Sequence, residues 1–372
     1  MKIEHIELRY VDLPLVVPFR TSFGTSYTRE TFLLRVVTDE ADGWSECGAE
    51  PDPLYSEEWL GGCETVLREQ LVPRVMALGD RLHSGLVAHV LEPVKGNPMA
   101  KHVLETAILD AELKALGVSF GRHLGAIRET VPSGVSVGIM DSLPEMIDAV
   151  RGYLDEGYLR IKLKIEPGWD IEPVRLVRET FGDDIALQVD ANTAYTLADA
   201  RHLARLDAFD LLLIEQPLRE DDLRGHAELA RQITTPVCLD ESIRSARDAA
   251  TAIAIGACSI INVKPARVGG YLEARRIHDV ALANGVPVWC GGMLETGIGR
   301  GPNVALAALP GFVLPGDTSA SSRYYTQDLT APFELVDGHL EVLSGPGIGV
   351  DVLTDVLEEF TVSTSAVQIR GS

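Results

Sequence analysis

Hydrophobic and polar positions alternate over the first part of the chain, and this two-residue period predicts β-strands. Ile6 and Leu8 lie in the first such stretch, and the β-rich run 32–37 forms a second. Asp42 and Gly43 form a dipeptide typical of a tight turn, which would return the chain into a third strand.

A helical period follows these predicted strands. In residues 99–116 apolar side chains recur every three or four positions, and Gly117 is a typical helix stop. Strands followed by helices predict an α+β domain, which we place at residues 1–130.

From residue 131 onward, short apolar runs alternate with helical stretches at a regular interval. Repeated strand–helix units predict parallel strands, and eight units predict an α/β protein with a closed (β/α)8 barrel of the TIM type. We assign this barrel to residues 131–320. The predicted strands are 134–139, 160–165, 185–190, 211–215, 237–240, 260–264, 286–290 and 312–314. The predicted helices include 143–156, 172–181, 197–206 and 271–284.

An open, doubly wound sheet is the competing architecture. Its usual signature is a glycine-rich turn after the first strand, whereas the glycine-rich stretch 291–301 comes late in the chain and lacks that spacing. The final segment, 321–372, returns to short strands. We therefore expect a barrel whose N-terminal α+β domain is completed by this C-terminal segment.

Five consecutive predicted strands end in a charged residue. The residues are 24 to 26 positions apart, which is one strand–helix unit, so all five should lie at the carboxyl-terminal rim of the barrel. That rim is where barrel enzymes place their active sites. In chain order the residues are Lys164, Asp190, Glu215, Asp240 and Lys264.

The order of the strands predicts how these charges are arranged. Lys164 ends the second strand and Lys264 the sixth, so the two lysines should face each other across the mouth. Lys162 alternates with aliphatic residues on the same strand and should point inward with Lys164. The three carboxylates lie along the arc between the lysines. Three converging carboxylates need a cation, and hard oxygen ligands favour Mg²⁺ or Mn²⁺ over zinc.

Such a site suits removal of the proton next to a substrate carboxylate. Loss of that proton places a second negative charge on the carboxylate oxygens, and a bound metal stabilises the resulting enediolate. A lysine can accept the proton if its pKa is lowered, and we expect Lys162 to do this to Lys164 by like-charge repulsion.

The strand-end motifs KLK, DAN, EQP, DES and NVKP resemble those of the muconate-lactonising-enzyme subgroup of the enolase superfamily, in order and over nearly the whole chain. The resemblance implies that Asp190, Glu215 and Asp240 bind the metal. It also implies that Lys164 and Lys264 are the acid/base pair.

The same resemblance suggests roles for neighbouring residues. Lys162 would hold the substrate carboxylate, and Asn192 and Glu241 would support the ligands from behind. The mandelate-racemase subgroup uses a histidine–aspartate base instead. Strand seven here ends in WCGGM and has no histidine, so that subgroup fits poorly.

Within the subgroup, the chain is most similar to the N-acylamino acid (N-succinylamino acid) racemases that also act as o-succinylbenzoate synthases. The segments PLVVPFRTSFGT, IKLKIEPGWD and VWCGGMLETGIGR carry this likeness. Dipeptide epimerases have an Asp-x-Asp at strand eight, whereas Asp317 is followed here by Thr318 and Ser319.

Several activities follow from this resemblance. Racemisation of N-succinylamino acids is the first, and the dehydration that makes o-succinylbenzoate for menaquinone is the alternative. Dipeptide epimerase and muconate cycloisomerase activities fit less well. A binding or scaffold protein on an inactive barrel would be expected to lack one of the five charged residues, and all five are present.

Further candidates for the substrate pocket come from loops. The segment 18–25 carries Phe19 and Phe23, and the segment 51–55 carries Tyr55. By resemblance, these loops of the first domain close over the barrel mouth and exclude water. Four more candidates lie at strand ends: Ser136, Met293, Leu294 and Asp317.

The composition limits the kinds of partner that the protein can bind. The formal charge is −22, which excludes nucleic acid and anionic membranes as partners by long-range repulsion. We expect a cytoplasmic protein, because the sequence shows neither a signal peptide nor a long apolar span, and its five cysteines are scattered as reduced thiols would be. We also expect a homo-oligomer that acts on a small carboxylate substrate. His226 and His278, on helical stretches, are predicted at the surface.

Overall fold

The computed structural model describes residues 1–367. It contains an antiparallel sheet near the N-terminus and a parallel sheet that curls into the barrel. The strands are β1 (Ile3–Thr21), β2 (Gly24–Thr38), β3 (Asp42–Glu46), β4 (Thr130–Pro132), β5 (Gly134–Val137), β6 (Arg160–Lys164), β7 (Ala186–Asp190), β8 (Ile214–Glu215), β9 (Val237–Leu239), β10 (Ile260–Val263), β11 (Val288–Cys290), β12 (His339–Glu341) and β13 (Thr361–Ala366).

The helices alternate with the strands through the barrel, as the periodicity predicts. The α-helices are α1 (Leu60–Val66), α2 (Val72–Met76), α3 (Ser84–Leu91), α4 (Pro98–Leu116), α5 (Phe120–Leu124), α6 (Leu143–Asp155), α7 (Ile171–Phe181), α8 (Ala200–Leu203), α9 (Leu223–Leu229), α10 (Ala246–Ala254), α11 (Pro265–Val268), α12 (Tyr271–Ala283), α13 (Gly297–Ala307) and α14 (Thr354–Phe360). None of the helices formed by residues 1–367 is long and apolar enough to span a membrane.

The barrel sheet has seven regular strands, β5 to β11, which pair in parallel in chain order. The predicted eighth strand, 312–314, makes only isolated bridges. Phe312 pairs with Val288, and Gly316 pairs with Ser133 beside β5. The segment therefore closes the barrel without forming a regular strand, since a proline, which has no N–H to donate, follows it at position 315. The predicted TIM-type fold is confirmed.

The N-terminal sheet has the strand order β13-β1-β2-β3. The C-terminal strand β13 pairs antiparallel with β1, so the end of the chain adds to the first sheet as expected. Other parts of the same segment pack on the barrel, where β12 pairs with β4. The domain boundaries at residues 130 and 320 stay predictions.

The predicted turn at Asp42 and Gly43 is wrong. Both residues lie in β3, and the turn falls before them, where the Thr38 hydroxyl accepts hydrogen bonds from the backbone of Glu40 and Ala41. Gly43 serves close packing instead. A Cβ atom there would lie 1.9 Å from the carbonyl oxygen of Ala107 in α4, so only glycine lets the helix approach the strand.

The helix predicted at 197–206 is only partly α-helical. Residues Leu197–Asp199 and Ala204–Phe209 form 3-10 turns on either side of the short α8. The chain leaves this segment at Asp210, in the left-handed conformation.

The predicted surface positions of His226 and His278 are also wrong, because both side chains are buried. Each ring accepts a hydrogen bond through Nε2 from a backbone N–H of a nearby loop, that of Leu218 and that of Gly311 respectively. The helical periodicity of the sequence does not predict loop contacts of this kind.

A buried glutamate joins the N-terminal helix α4 to the barrel. The two carboxylate oxygens of Glu105 accept hydrogen bonds from the backbone N–H groups of Tyr271 and Leu272, at the start of α12, at 3.1 and 3.0 Å. The start of a helix attracts negative charge, which favours this contact. Burial nevertheless raises the pKa of Glu105 to about 7.

Glu105 should therefore make the protein less stable as pH rises. Its pKa is about 4.3 in an unfolded chain and higher in the folded one, so its stabilising effect is complete below pH ~4.3 and is lost as pH rises through about 7. We expect the fall in unfolding free energy between about pH 5.5 and pH 8 to be smaller in Glu105→Gln. Urea denaturation at the two pH values measures it. The surface variant Glu341→Gln is the control, and equal falls in Glu105→Gln and wild type would contradict the assignment.

Candidate active site

The charged residues predicted at strand ends lie together at the carboxyl-terminal end of the barrel. Lys164, Asp190 and Glu215 are the last residues of β6, β7 and β8, and the register pairs Lys164 with Asp190 and Asp190 with Glu215. Asp240 and Lys264 directly follow β9 and β10. All five residues are at most 7% exposed. The structure therefore brings them to one rim.

Lys162 points into the barrel, as its alternation with aliphatic residues predicts. Its Nζ lies 2.5 Å from an oxygen of Asp317, 3.2 Å from one of Glu215 and 3.4 Å from one of Asp190. Burial alone would lower the pKa of Lys162, but Asp317 and Glu215 hold it well above its usual value. The positive charge expected beside Lys164 is thus balanced by three carboxylates.

Lys164 belongs to a chain of hydrogen bonds that crosses three strand ends. Its Nζ lies 2.6 Å from Asp190 Oδ2 and 2.6 Å from Asn192 Oδ1. The Asn192 amide in turn donates to Glu241 Oε1 at 2.9 Å. Burial would raise the pKa of Asp190, but Lys164 and Lys162 together hold it well below the usual range.

Lys264 has a separate set of partners. Its Nζ lies 2.9 Å from Asp240 Oδ2 and 2.9 Å from the hydroxyl oxygen of Tyr55. The other Asp240 oxygen accepts from Arg267 at 2.7 Å. Burial would lower the pKa of Lys264, but Asp240 and Tyr55 raise it well above its usual value. The two rim lysines are therefore held by carboxylates from different strands.

Glu215 lies fully buried between these two groups. One carboxylate oxygen faces Lys162, and the other accepts from the Asn262 amide at 2.6 Å. Burial first, and then repulsion from Asp190 and Asp240, raises the pKa of Glu215 to about 8. The three carboxylates of the rim therefore repel one another.

The chemistry of this donor set fits a hard divalent cation, because Asp190, Glu215 and Asp240 offer only carboxylate oxygens and a dication would relieve their repulsion. As they are placed, each turns an oxygen toward a lysine. Within residues 1–367, no group of three acidic, histidine or cysteine side chains is in position to hold a metal ion. The three carboxylates thus share one rim without meeting at one point.

Two residues that contact the rim carboxylates, Asn262 and Arg267, were missing from the sequence interpretation. Asn262 lies two positions before Lys264 on the same strand, so the alternation that groups Lys162 with Lys164 would have indicated it. Arg267 lies three positions after Lys264, in α11. A spacing of three in a helix would have indicated it as a neighbour of the rim.

A pocket opens beside Lys164 and Lys264, and residues from both domains line it. The Phe23 and Tyr55 rings lie 5.8 Å apart in its wall, so the first domain covers the rim as expected. Phe19, Met293 and Leu294 also line the pocket, as do Thr21, Ser26, Glu50, Asn192 and Gly292.

The segment 18–25, expected as a loop, is the tip of the hairpin formed by β1 and β2, and the turn itself is short. The hairpin docks on the barrel, because the backbone oxygen of Arg20 accepts from the Ile139 N–H at 3.0 Å. The Ser22 hydroxyl also lies 3.4 Å from the backbone oxygen of Asn192. These contacts fix the hairpin tip, residues 18–25, on the barrel, and we call this tip the lid.

Three residues predicted to contact the substrate do not line this cavity: Lys162, Ser136 and Asp317. Ser136 is buried one strand away from Lys162, in register with it, and its hydroxyl has no hydrogen-bond partner. Asp317 forms ion pairs with Lys162 and Arg160. All three lie in the polar layer inside the barrel, and Asp317 balances the buried positive charge there.

The chain belongs to the enolase superfamily. Residues 5–125 match the family described as mandelate racemase / muconate lactonizing enzyme, N-terminal domain, and residues 145–356 match the enolase C-terminal domain-like family. A protein from Amycolatopsis sp named N-succinylamino acid racemase is 62% identical over 98% of both chains. An o-succinylbenzoate synthase from Geobacillus kaustophilus is 46% identical over 97% of this chain and 96% of its own.

Solved structures agree with this assignment. The crystal structure of an enolase-superfamily member from Listeria innocua is 40% identical and superposes with a TM-score of 0.94, covering 98% of this chain and 99% of the other. The architecture predicted from the strand–helix alternation is therefore shared with the family.

Proposed function

We propose that the protein racemises N-succinylamino acids and that Lys164 and Lys264 form its acid/base pair. The observation that carries this proposal is the placement of two buried lysines in one pocket, with β7, β8 and β9 between their strands. Racemisation removes a proton from one face of a carbon and returns one to the other, so it needs an acid/base group on each side. The relative from Amycolatopsis supports the N-succinyl group.

We infer that Asp190, Glu215 and Asp240 hold a divalent cation, Mg²⁺ or Mn²⁺. When bound, the cation would stabilise the negative charge that develops on the substrate carboxylate. The buried Lys162 adds positive charge to the same region. Asn192 supports Lys164 through the hydrogen bond described above.

A second candidate function is dehydration to o-succinylbenzoate. The relatives named o-succinylbenzoate synthase, among them those from Geobacillus kaustophilus and Bacillus subtilis at 46% and 43% identity, favour it. Elimination needs only one base, and the pocket offers two. The same site therefore suits both reactions.

One assay compares the two candidates. Purified protein with Mg²⁺ is given N-succinyl-L-phenylalanine in one tube and the synthase substrate in another, and optical rotation and o-succinylbenzoate absorbance are followed. We expect racemisation that stops when EDTA removes the metal and resumes when Mg²⁺ is restored. Dehydration alone, with no change in rotation, would contradict the racemase proposal.

Phe23→Ala should weaken substrate binding more than chemistry. Phe23 lies at the lid tip against Tyr55, and its side chain carries no group that could transfer a proton or bind a metal. We expect KM for long N-acyl substrates to rise more than kcat falls, because the lost ring contacts hold substrate and transition state alike. Steady-state kinetics on N-acyl groups of increasing length test this. Tyr27→Ala, on the same hairpin but 67% exposed, is the control. A collapse of kcat with KM unchanged would give the lid a different role.

A further inference from the structure

A second buried glutamate of the first domain touches the barrel next to the pocket. Glu46 ends β3, and one of its oxygens accepts from both the backbone N–H and the hydroxyl of Thr296, at 2.9 and 2.7 Å. Thr296 directly precedes helix α13. Glu46 is 3% exposed, so this contact lies out of solvent.

The segment that Glu46 holds is a wall of the pocket. It runs from Met293 to Thr296, and its first two residues line the cavity beside the lysines. Leu294 has a φ of 58°, a left-handed conformation that a leucine keeps only when its surroundings impose it. The position of this wall therefore depends on the groups that anchor it.

Three of the anchors come from the barrel and the C-terminal segment. The Glu295 side chain accepts from the Met293 N–H at 2.8 Å, the Tyr325 hydroxyl donates to the Leu294 carbonyl oxygen, and Arg300 donates to the Glu295 carbonyl oxygen at 2.6 Å. Glu46 is the anchor that comes from the first domain.

Glu46 is also connected to the lid. Arg29, on β2 of the lid hairpin, lies 3.6 Å from Glu46 and 3.7 Å from Glu50, and Glu50 lines the pocket. Gly299 leaves room for the Glu46 and Glu295 side chains, because a Cβ atom there would lie 3.2 Å from the Glu46 oxygen and 2.8 Å from the Glu295 side chain. The contact therefore joins the lid hairpin to the pocket wall.

We propose that Glu46 is a positioning residue, which fixes the Met293–Leu294 wall relative to the lid and so determines which N-acyl group the pocket accepts. This inference rests on the proposed function. The reacting carbon lies between the lysines in that proposal, so a shift of the wall alters the fit of the acyl group more than the chemistry. Misplacement by about 1 Å costs up to about 10²-fold in rate.

The test compares kcat/KM for the N-acetyl and N-succinyl derivatives of phenylalanine in four proteins. Glu46→Ala removes the contact, whereas Glu46→Gln keeps an oxygen that can accept from Thr296. Glu105→Ala is the matched control, because Glu105 is also a buried glutamate of the first domain that binds the start of a barrel helix, α12, but the residues it holds, Tyr271 and Leu272, do not line the pocket. Circular dichroism and the melting temperature monitor folding.

We expect Glu46→Ala to change the ratio of the two kcat/KM values by about tenfold, mainly through KM. Glu46→Gln should stay within about threefold of the wild-type ratio, and Glu105→Ala within about twofold although it melts earlier. An unchanged ratio in Glu46→Ala, or an equal change in Glu105→Ala, would overturn the proposal. If Glu46→Ala does not fold, Thr296→Val, which removes the hydroxyl donor of the same contact, decides by the same ratio.

A wild-type protein that racemises neither compound would refute the proposed function and leave the positioning role open to a separate test. The dissociation constants of the same two compounds, measured by calorimetry with wild type and Glu46→Ala, then give the ratio directly. Equal ratios in the two proteins would count against positioning by Glu46.

Discussion

Lys164→Ala and Lys264→Ala should each abolish racemisation while leaving half of the proton exchange intact. Each variant keeps one lysine in the pocket, so each should still exchange the α-proton of one enantiomer with deuterated water, and the two variants should favour opposite enantiomers. We expect racemisation to fall by more than the ~10²–10⁴-fold typical of one acid–base group, because the missing lysine also removes positive charge next to the developing negative charge.

Deuterium incorporation by NMR, run on both enantiomers, measures the effect. Lys114→Ala removes a lysine that pairs with Asp110 away from the pocket, and it should leave both activities unchanged. Lys264→Arg should retain more synthase than racemase activity, since dehydration needs only one base. A lysine-to-alanine variant that exchanges both enantiomers at comparable rates, or that still racemises, would exclude the two-base mechanism.

Asp240→Asn should weaken Mg²⁺ binding by more than about 100-fold, the upper end of what loss of a group behind the ligands costs. The substitution removes a carboxylate charge that the structure places beside Lys264 and Arg267. Without this charge, Lys264 and Arg267 would repel a bound Mg²⁺. Isothermal titration with Mg²⁺ gives the affinity, and circular dichroism shows whether the fold is retained.

Asp317→Asn is the matched variant for this measurement. Asp317 is equally a buried carboxylate beside a lysine, but it faces Lys162 and Arg160 and is outside the proposed metal set. We expect it to weaken Mg²⁺ binding less than Asp240→Asn does, by no more than the about 10–100-fold that loss of a group behind the ligands costs. Wild-type affinity in Asp240→Asn would exclude Asp240 as a ligand.

Much of the barrel could be predicted from the sequence because its elements carry strong local periods. The helices predicted at 143–156, 172–181 and 271–284 each differ from α6, α7 and α12 by a single residue at one end. The helix predicted at 197–206 is only partly right because, over segments as short as these, apolar residues three positions apart fit a 3-10 turn as well as an α-helix. The predicted turn at Asp42 and Gly43 is wrong because a single sequence does not distinguish a glycine required by packing from a glycine required by a turn.

The candidate site, like the fold, could be predicted only in part. The five rim residues follow from strand spacing, since parallel neighbours end at the same level. The contact of Lys264 with Tyr55 does not follow, because Tyr55 comes from the first domain, 209 positions away along the chain. The balance of the Lys162 charge by Asp317 depends on barrel closure, which brings the eighth strand position beside β5, one strand away from β6.

The pairing of β13 with β1 has a consequence for how the protein is made. Residues are synthesised in chain order, so Ile3–Thr21 leaves the ribosome long before Thr361–Ala366. During that time one edge of β1 presents unpaired N–H and C=O groups, which can recruit strands from neighbouring nascent chains. The lid belongs to this same strand. The ribosome must therefore synthesise the whole barrel before β13 can pair with β1. We expect nascent chains to depend on chaperones until β13 has emerged.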